Sequence, residues 1–355
     1  AWLAPVLLGE APWPEEVRER ILAAADGARL DALAWTRLET TVGRALADVA
    51  ARIVAEHGPV DLVVSPGQTV HHWVDDTGTR ATLAVGDAAW IAEAADAPVL
   101  SHLRHADIAA GGHGAPLAIV LDALWLAEHA ARHGSVAGVN LGGIANVQVV
   151  RADRSTLAFD TGPASCLLDA AVQRATGAAF DADGALAAAG VVDDAVLARL
   201  LAHPYLARPA PKTTGRETFA LAFVDEAGGA DLALADLAAT LVELSARTLV
   251  DAVSAVPDPP ALLVVSGGGV RNPVLMARIR ALADEADVAL RTSDELGVPA
   301  DAKEALLFAL LGLLTWHGVP VSLGGPTRVA GRLAFGRSPV TLPPAASSPV
   351  GLELR

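Results

Sequence analysis

A chain of 355 residues is long enough for two domains with separate cores, and its 52% hydrophobic content marks a globular protein rather than a disordered one. The formal net charge of −15 repels phosphate backbones, so nucleic acid is excluded as an expected partner and any nucleotide must be gripped locally. The lone cysteine, Cys166, rules out an internal disulfide and fits a reducing compartment, the cytoplasm.

In chain order, residues Pro14 to His57 carry apolar positions at helical spacing and predict two or three helices. Asp61 to Val64 reads as a short buried strand ending in a Ser65 to Thr69 loop. Trp73 to Val85 reads as a hairpin turning at Asp75-Asp76-Thr77-Gly78. Ala88 to Ala95 is expected as a helix, Val99 to Leu103 as a strand, Ala109 to Pro116 as a Gly-rich loop and Leu117 to His133 as one long helix. The opening AWLAPVLLGEAPW has no initiator Met and no basic segment ahead of its apolar one, so a signal peptide is not expected and the missing Met suggests upstream residues removed or omitted.

The stretch from Val139 to Asp169 organises the rest. A β-rich run from Val136 to Leu141 breaks at Gly142-Gly143, resumes at Val147 to Val150, and returns as Leu157 to Phe159 before Asp160-Thr161-Gly162-Pro163. Adjacent glycines at a strand end let backbone N–H groups approach a ligand closely, and an acid at the next strand's carboxyl end sits at the same crevice. Together they predict a phosphate-handling site with a carboxylate base. Helices follow at Ser165 to Thr176, Asp193 to His203 and Leu232 to Val256, with a Pro-rich connector from Tyr205 to Gly215. Ala261 to Val265 is a continuous apolar strand, Ser266 to Gly269 a tight loop, Pro273 to Ala283 a helix opened by proline and Val288 to Arg291 a strand. The helix from Asp301 to Trp316 contains the longest uncharged apolar run, Ala305 to Trp316, about half of what a bilayer span needs, so it is expected buried and no membrane is expected as a partner. Strands alternating with helices predict an α/β architecture.

Several motifs have an ordinary reading beside the functional one. Gly267, Gly268 and Gly269 suit a nucleotide contact or a plain strand-to-helix turn, and Gly142, Gly143 and Asn146 suit a phosphate loop or a hairpin turn. Phe159-Asp160-Thr161-Gly162 matches the aspartic-protease signature, but the second Asp-Thr-Gly, at Asp76, lies in a polar turn and supplies no equivalent buried partner. Asp301 and Glu304 have capping-box spacing, and the spacing of His102, His105 and His113 fits no metal site on a helix. Lys212, Arg216 and Glu217 belong to a polar loop that is either a lid on a phosphate or a solvated connector.

Eight fragments in order (PGQTVHH, LAVGDAAWIAEA, LRHADIAAGGHGAPL, VNLGGIANV, AFDTGPASCLLDA, PAPKTTGRE, SGGGVRNPVLM and DAKEALLFALL) resemble the anhydro-N-acetylmuramic acid kinase family of the actin/sugar-kinase/Hsp70 ATPase superfamily. The resemblance runs from about Pro14 to Gly331. It implies a two-domain actin-like ATPase fold with ATP and sugar in an interdomain cleft, Mg²⁺ with the ATP, and a homodimer. Domain I would span residues 1–116 and domain II residues 117–355, with the C-terminal segment packing back on domain I. The implied reaction adds water to the anomeric carbon of a 1,6-anhydro amino sugar from cell-wall turnover while the γ-phosphoryl group passes to O6. The product would be N-acetylmuramic acid 6-phosphate, feeding peptidoglycan recycling.

By motif match the resemblance makes Asp160 the general base on that water and gives Glu304 the holding of sugar and water. Gln68, Thr69, Arg104 and Gly162 would contact the sugar. Asn140, Gly142, Gly143 and Asn146 would meet the phosphates, and Gly267, Gly268, Gly269 and Asn272 would lie by the nucleotide. No metal-binding side chain is assigned.

Departures from the family pattern are Pro66, His102, His113 and Ser165, and nothing in the chain corresponds to the family's opening hairpin with its Ser-Gly-Thr-Ser-x-Asp-Gly type phosphate loop. The alternative reading is a relative that binds sugar or nucleotide without turnover. Retention of Asp160 and Glu304 counts against it.

Overall fold

The structure, a computed structural model, describes every residue except 1, 26, 76–77, 216–217, 301, 324 and 355. It separates into two compact units, one comprising 1–2, 122–303 and 350–354, the other 3–121, 304–349 and 355. Both mix helices and strands, as the alternating sequence pattern predicts.

The unit holding Asp122–Lys303 is built on a five-stranded sheet. Its strands are β1 (Ser135–Leu141), β2 (Ile144–Arg151), β3 (Thr156–Pro163), β4 (Leu262–Ser266) and β5 (Ala289–Thr292), in the order β5-β4-β1-β2-β3. β1, β2 and β3 form an antiparallel meander, whereas β4 and β5 join in parallel after helical crossovers. Every residue of β4 is buried, as is every residue of β1 except Asn140, which is what strands covered on both faces require. The helices that matter for the site are α1 (Cys166–Thr176), α2 (Leu234–Ser254) and α3 (Pro273–Glu285). Val242, Ala246, Leu249 and Val253 of α2 form one cluster with Val139, Val147, Val149, Phe159 and Val265 of the sheet.

Two helices stand where one was expected over Leu117 to His133: Ala118–Trp125 and Ala127–His133. Leu126 between them has φ −86° and ψ −2°, yet Leu126 N–H still donates to the Asp122 carbonyl at 2.9 Å, so the break is a shallow kink without Gly or Pro to announce it.

In the other unit, helices Glu15–Ala25 and Ala32–His57 lead to the pair of strands Gln68–Asp75 and Gly78–Val85. The first of these strands begins five residues before the expected Trp73, because Gln68 pairs with Val85 and Thr69 with Ala84. Gln68 and Thr69 are therefore strand residues, not loop residues. The loop before them turns at Gly67, whose φ of +62° and approach to the Val85 carbonyl leave no room for a Cβ. The expected turn residues Asp76 and Thr77 lie outside the described residues. Helix Ala88–Ala95 forms as expected, with the Asp87 carboxylate capping it.

The strand expected to reach Leu103 stops at Ser101, the next residue, His102, adopts φ +53°, and a helix, His105–Ala109, fills the unassigned stretch up to the first residue of the expected loop. Val99–Ser101 is the centre of a small sheet, parallel to Val63–Val64 and antiparallel to Arg332–Ala334. The helix expected from Asp301 opens at Lys303, and Asp301, half of the proposed capping box, is not among the described residues. No helix among the described residues is long and apolar enough to cross a membrane.

Candidate functional site

Strand register gathers the polar residues of the Val139 to Asp169 stretch into a row. Ser266 pairs with Asn140, Asn140 with Asn146, and Asn146 with Asp160, so four adjacent strands present polar side chains at one level of the sheet. The last step is irregular: Ala145 faces Gly162 while Asn146 faces Asp160, which leaves Thr161 as an extra residue in the strand. Such a bulge re-aims the neighbouring side chain. Asp160 thus lies inside β3, which continues to Pro163 rather than stopping at the Asp.

Asp160 is half-buried and its carboxylate is held on one side. Thr213 Oγ1 donates to Oδ2 at 2.8 Å and the Thr214 amide donates to the same oxygen at 2.9 Å. Oδ1 takes no hydrogen bond among the described residues. Burial pushes the carboxyl above the ordinary aspartate value, opposed by the Thr214 and Thr213 hydrogen bonds, so the group is more basic than a solvated aspartate. The connector that supplies these donors turns its lysine back onto itself. Lys212 Nζ donates back to the Leu206 carbonyl at 3.0 Å and lies 4.8 Å from the centre of the Tyr205 ring. Arg216 and Glu217 lie outside the described residues.

Beside this row is a cavity of about 420 Å³ walled by Gly142, Gly143, Ser165, Gly268, Gly269 and Asn272, among others. Five residues proposed from sequence to meet phosphate or nucleotide are therefore brought together in one concave site of ligand size. The carbonyls of Gly142 and Gly143 accept from the amides of Ser165 (3.1 Å) and Ala164 (2.9 Å), which ties the turn to the start of α1. Gly267, with φ +87°, brings its backbone against Asn140 and Leu141, where a Cβ would collide; a Cβ on Gly268 would meet nothing. Asn272 caps α3 through Oδ1, which accepts from the amides of Val274 and Leu275 at 3.1 Å each. Asn146 Oδ1 accepts from Gln148 Nε2 at 3.0 Å. A Cβ on Gly162 would stand 3.1 Å from Leu206 of the connector.

In the other unit, Arg104 Nη1 donates to the Gly114 carbonyl at 2.7 Å while Asp107 accepts from the Gly114 amide at 2.7 Å, so the Gly-rich loop is gripped at one residue from both sides. Burial lowers the Arg104 value from the usual guanidinium range, the Glu304 carboxylate opposes this, and the group stays charged. Glu304 is exposed in the first turn of helix Lys303–Trp316. Gln68 is half-buried and Thr69 exposed on their strand. Burial and the nearby Arg104 also lower the His72 value. Of the departures, His113 Nδ1 lies 3.4 Å from Thr79 Oγ1, and His102 packs edge-on to His105 at 4.7 Å.

Sequence reasoning missed the threonines that hold Asp160, and nothing marks them but their place in a polar run. It also missed Asp122 and Lys303, a buried ion pair of 2.9 Å between residues far apart in the chain.

A glycine-walled cavity beside a half-buried carboxylate with one oxygen unengaged, in an α/β frame, has the layout of a phosphotransferase acting on a small molecule. Residues 4–337 match the profile of the family described as Anhydro-N-acetylmuramic acid kinase. A curated anhydro-N-acetylmuramic acid kinase of Streptomyces coelicolor is 49% identical over 96% of this chain and 88% of its own length. That of Rhodococcus erythropolis is 46% identical over 92% of this chain and 83% of its own, and that of Xanthomonas campestris pv. campestris 41% over 91% and 86%. The chain belongs to the anhydro-N-acetylmuramic acid kinase family. Among solved structures, a ROK family glucokinase from Streptomyces griseus in complex with glucose and AMPPNP superposes with a TM-score of 0.31 at 17% identity, covering 74% of this chain and 86% of that one. At that score the likeness adds nothing to the family assignment.

Proposed function

We propose that this protein is an ATP-dependent kinase that opens 1,6-anhydro-N-acetylmuramic acid with water and phosphorylates O6, giving N-acetylmuramic acid 6-phosphate for peptidoglycan recycling. Family membership supports the substrate and the reaction. The observation that carries the chemistry is Asp160, whose Oδ2 is pinned by two donors while Oδ1 takes no hydrogen bond among the described residues. In the reaction an O–H bond of water breaks as its oxygen bonds to the anomeric carbon. The C1–O6 bond breaks with its electron pair going to O6, O6 takes the γ-phosphoryl group, ADP leaves, and the proton goes to the base. Positioned general bases contribute about 10²- to 10⁴-fold.

The remaining roles follow the same reading. Glu304 holds sugar and water; Gln68, Thr69, Arg104 and Gly162 line the sugar. Asn140, Gly142, Gly143 and Asn146 face the phosphates, and Gly267, Gly268, Gly269 and Asn272 lie by the nucleotide. The shared cavity of Gly142, Gly143, Gly268, Gly269 and Asn272 supports the last two groups. No group of three or more His, Cys, Asp or Glu is placed to hold a metal among the described residues, so Mg²⁺ is assigned to arrive on the ATP phosphates rather than in a protein cage. Bound there, it would neutralise phosphate charge. Cytoplasmic residence and a homodimer complete the proposal, resting on the single cysteine and on the family resemblance.

Incubation with Mg·ATP and 1,6-anhydro-N-acetylmuramic acid in ¹⁸O-water, followed by mass spectrometry, tests the reaction. The expected product is heavier by one phosphoryl group and one labelled water. A phosphorylated product without the label, or no product, would contradict the coupled reaction.

A further inference from the structure

The connector from Tyr205 to Thr214 grips Asp160 at four points. The Asp160 amide donates to the Lys212 carbonyl at 2.9 Å, so the connector pairs with β3, the edge strand of its sheet. The Tyr205 hydroxyl donates to the Asp160 carbonyl at 2.7 Å. The other two contacts are the Thr213 hydroxyl and the Thr214 amide, both on Oδ2. Nothing in a strand alone fixes a carboxylate about its terminal torsion, which is broad for Asp. Two donors converging on one oxygen do fix it. The segment is closed on itself by Lys212 Nζ, which reaches the carbonyls of Leu206 (3.0 Å) and Tyr205 (3.4 Å), and by the Arg208 guanidinium 5.9 Å from the Tyr205 ring.

We propose that this connector is the positioning element of the base: the Thr213 hydroxyl and Thr214 amide hold Oδ2, and Oδ1 is the atom that takes the proton of the attacking water. The inference rests on Asp160 being the base, as proposed above. The asymmetry has a chemical reason. An ionised carboxylate is an acceptor only, so a hydroxyl and an amide can both donate to Oδ2 and leave the charge in place. A cation on Oδ2 would instead lower the basicity of the whole group, and of the connector's two cations Lys212 is directed to backbone carbonyls and the Tyr205 ring while Arg208 lies over that ring. The other polar side chain facing Asp160 across the sheet is Asn146, which carries no charge. Thr213 is a positioning residue in this account, because it acts through Asp160.

The test is the pH dependence of kcat for Thr213→Val, Thr213→Ser and Asp160→Asn, with KM and the thermal unfolding midpoint recorded for each. Thr213→Val keeps the side-chain shape and removes the donor. A lost donor to the ionised form raises the carboxyl pKa, so the acid limb moves up, by about one pH unit for a charge-assisted bond. We expect kcat to fall about 10-fold at its optimum, since small misplacements of a catalytic group are costly, with KM little changed and Thr213→Ser restoring both rate and limb. A Thr213→Val enzyme with wild-type kcat and an unmoved limb, while Asp160→Asn is inactive, would overturn the positioning role and leave the base in place. A fall in kcat without a shifted limb, or without rescue by serine, would likewise overturn it and mark Thr213 as merely structural. Near-normal turnover by Asp160→Asn would remove the base on which the inference rests.

Discussion

Two aspartates of one unit, one buried and one half-buried, have contrasting partners. The region around Asp122 is closed: its carboxylate is 0% exposed, and Lys303 Nζ stands 2.9 Å from Oδ1 and 3.2 Å from Oδ2. Ser266 Oγ lies 3.4 Å from the same ammonium, Trp125 stacks on it at 5.7 Å, and Gly138 leaves room for the carboxylate where a Cβ would stand 2.8 Å from Oδ2. The region around Asp160 is half open and has no cation within ion-pair distance among the described residues. Burial raises both carboxyls. A raised value therefore does not by itself mark a catalytic group. What separates the two is the kind of partner: a cation neutralises Asp122, whereas neutral donors hold Asp160 and leave Oδ1 without a hydrogen bond among the described residues.

The contrast breaks first at Asp160. Asp160→Asn is expected to lower kcat by about 10²- to 10⁴-fold with an unfolding midpoint near that of the wild type, as turnover and calorimetry will show. Lys303→Met should do the reverse, acting on stability: stranding a buried carboxylate costs about 3–5 kcal/mol in denaturant unfolding. Adding Asp122→Asn to it should recover more than half of that loss. The two glycines of the β4 turn sharpen the comparison between frame and site. Gly267→Ala should cost about 1–3 kcal/mol, because it places a side chain at positive φ against Asn140. Gly268→Ala, which meets nothing, should change stability by less than about 0.5 kcal/mol while weakening ATP binding in calorimetric titration. Asn272→Ala removes the cap of α3 and should cost about 1 kcal/mol, measured by the same unfolding experiment.

Much of the sheet of this unit was legible because Val136 to Leu141 and Ala261 to Val265 are apolar runs that break at Gly-Gly and Gly-Gly-Gly, where period and punctuation agree. The glycines were legible for the same reason, since they occupy the ends of those runs, and Asp160 because it follows Leu157 to Phe159. The Arg332–Ala334 strand was not, because three residues carry no alternation. The kink at Leu126 lacks any breaker residue. The two threonines on Asp160 lie 53 and 54 residues further along the chain, and Lys303 lies 181 from Asp122. Contacts of that span are set by tertiary packing, so a polar Thr-Thr pair or a Lys beside Glu304 looks, in the sequence, like any solvated residue.

The pH dependence of kcat/KM for wild type, Asp160→Asn and Asp122→Asn tests the central claim most directly. The account predicts a wild-type acid limb above the ordinary aspartate value of about 3.9, because burial outweighs the two donors and activity requires the ionised carboxylate. That limb should disappear from the residual activity of Asp160→Asn and stay at the same pH in Asp122→Asn. The same limb surviving in Asp160→Asn would contradict the assignment of the base.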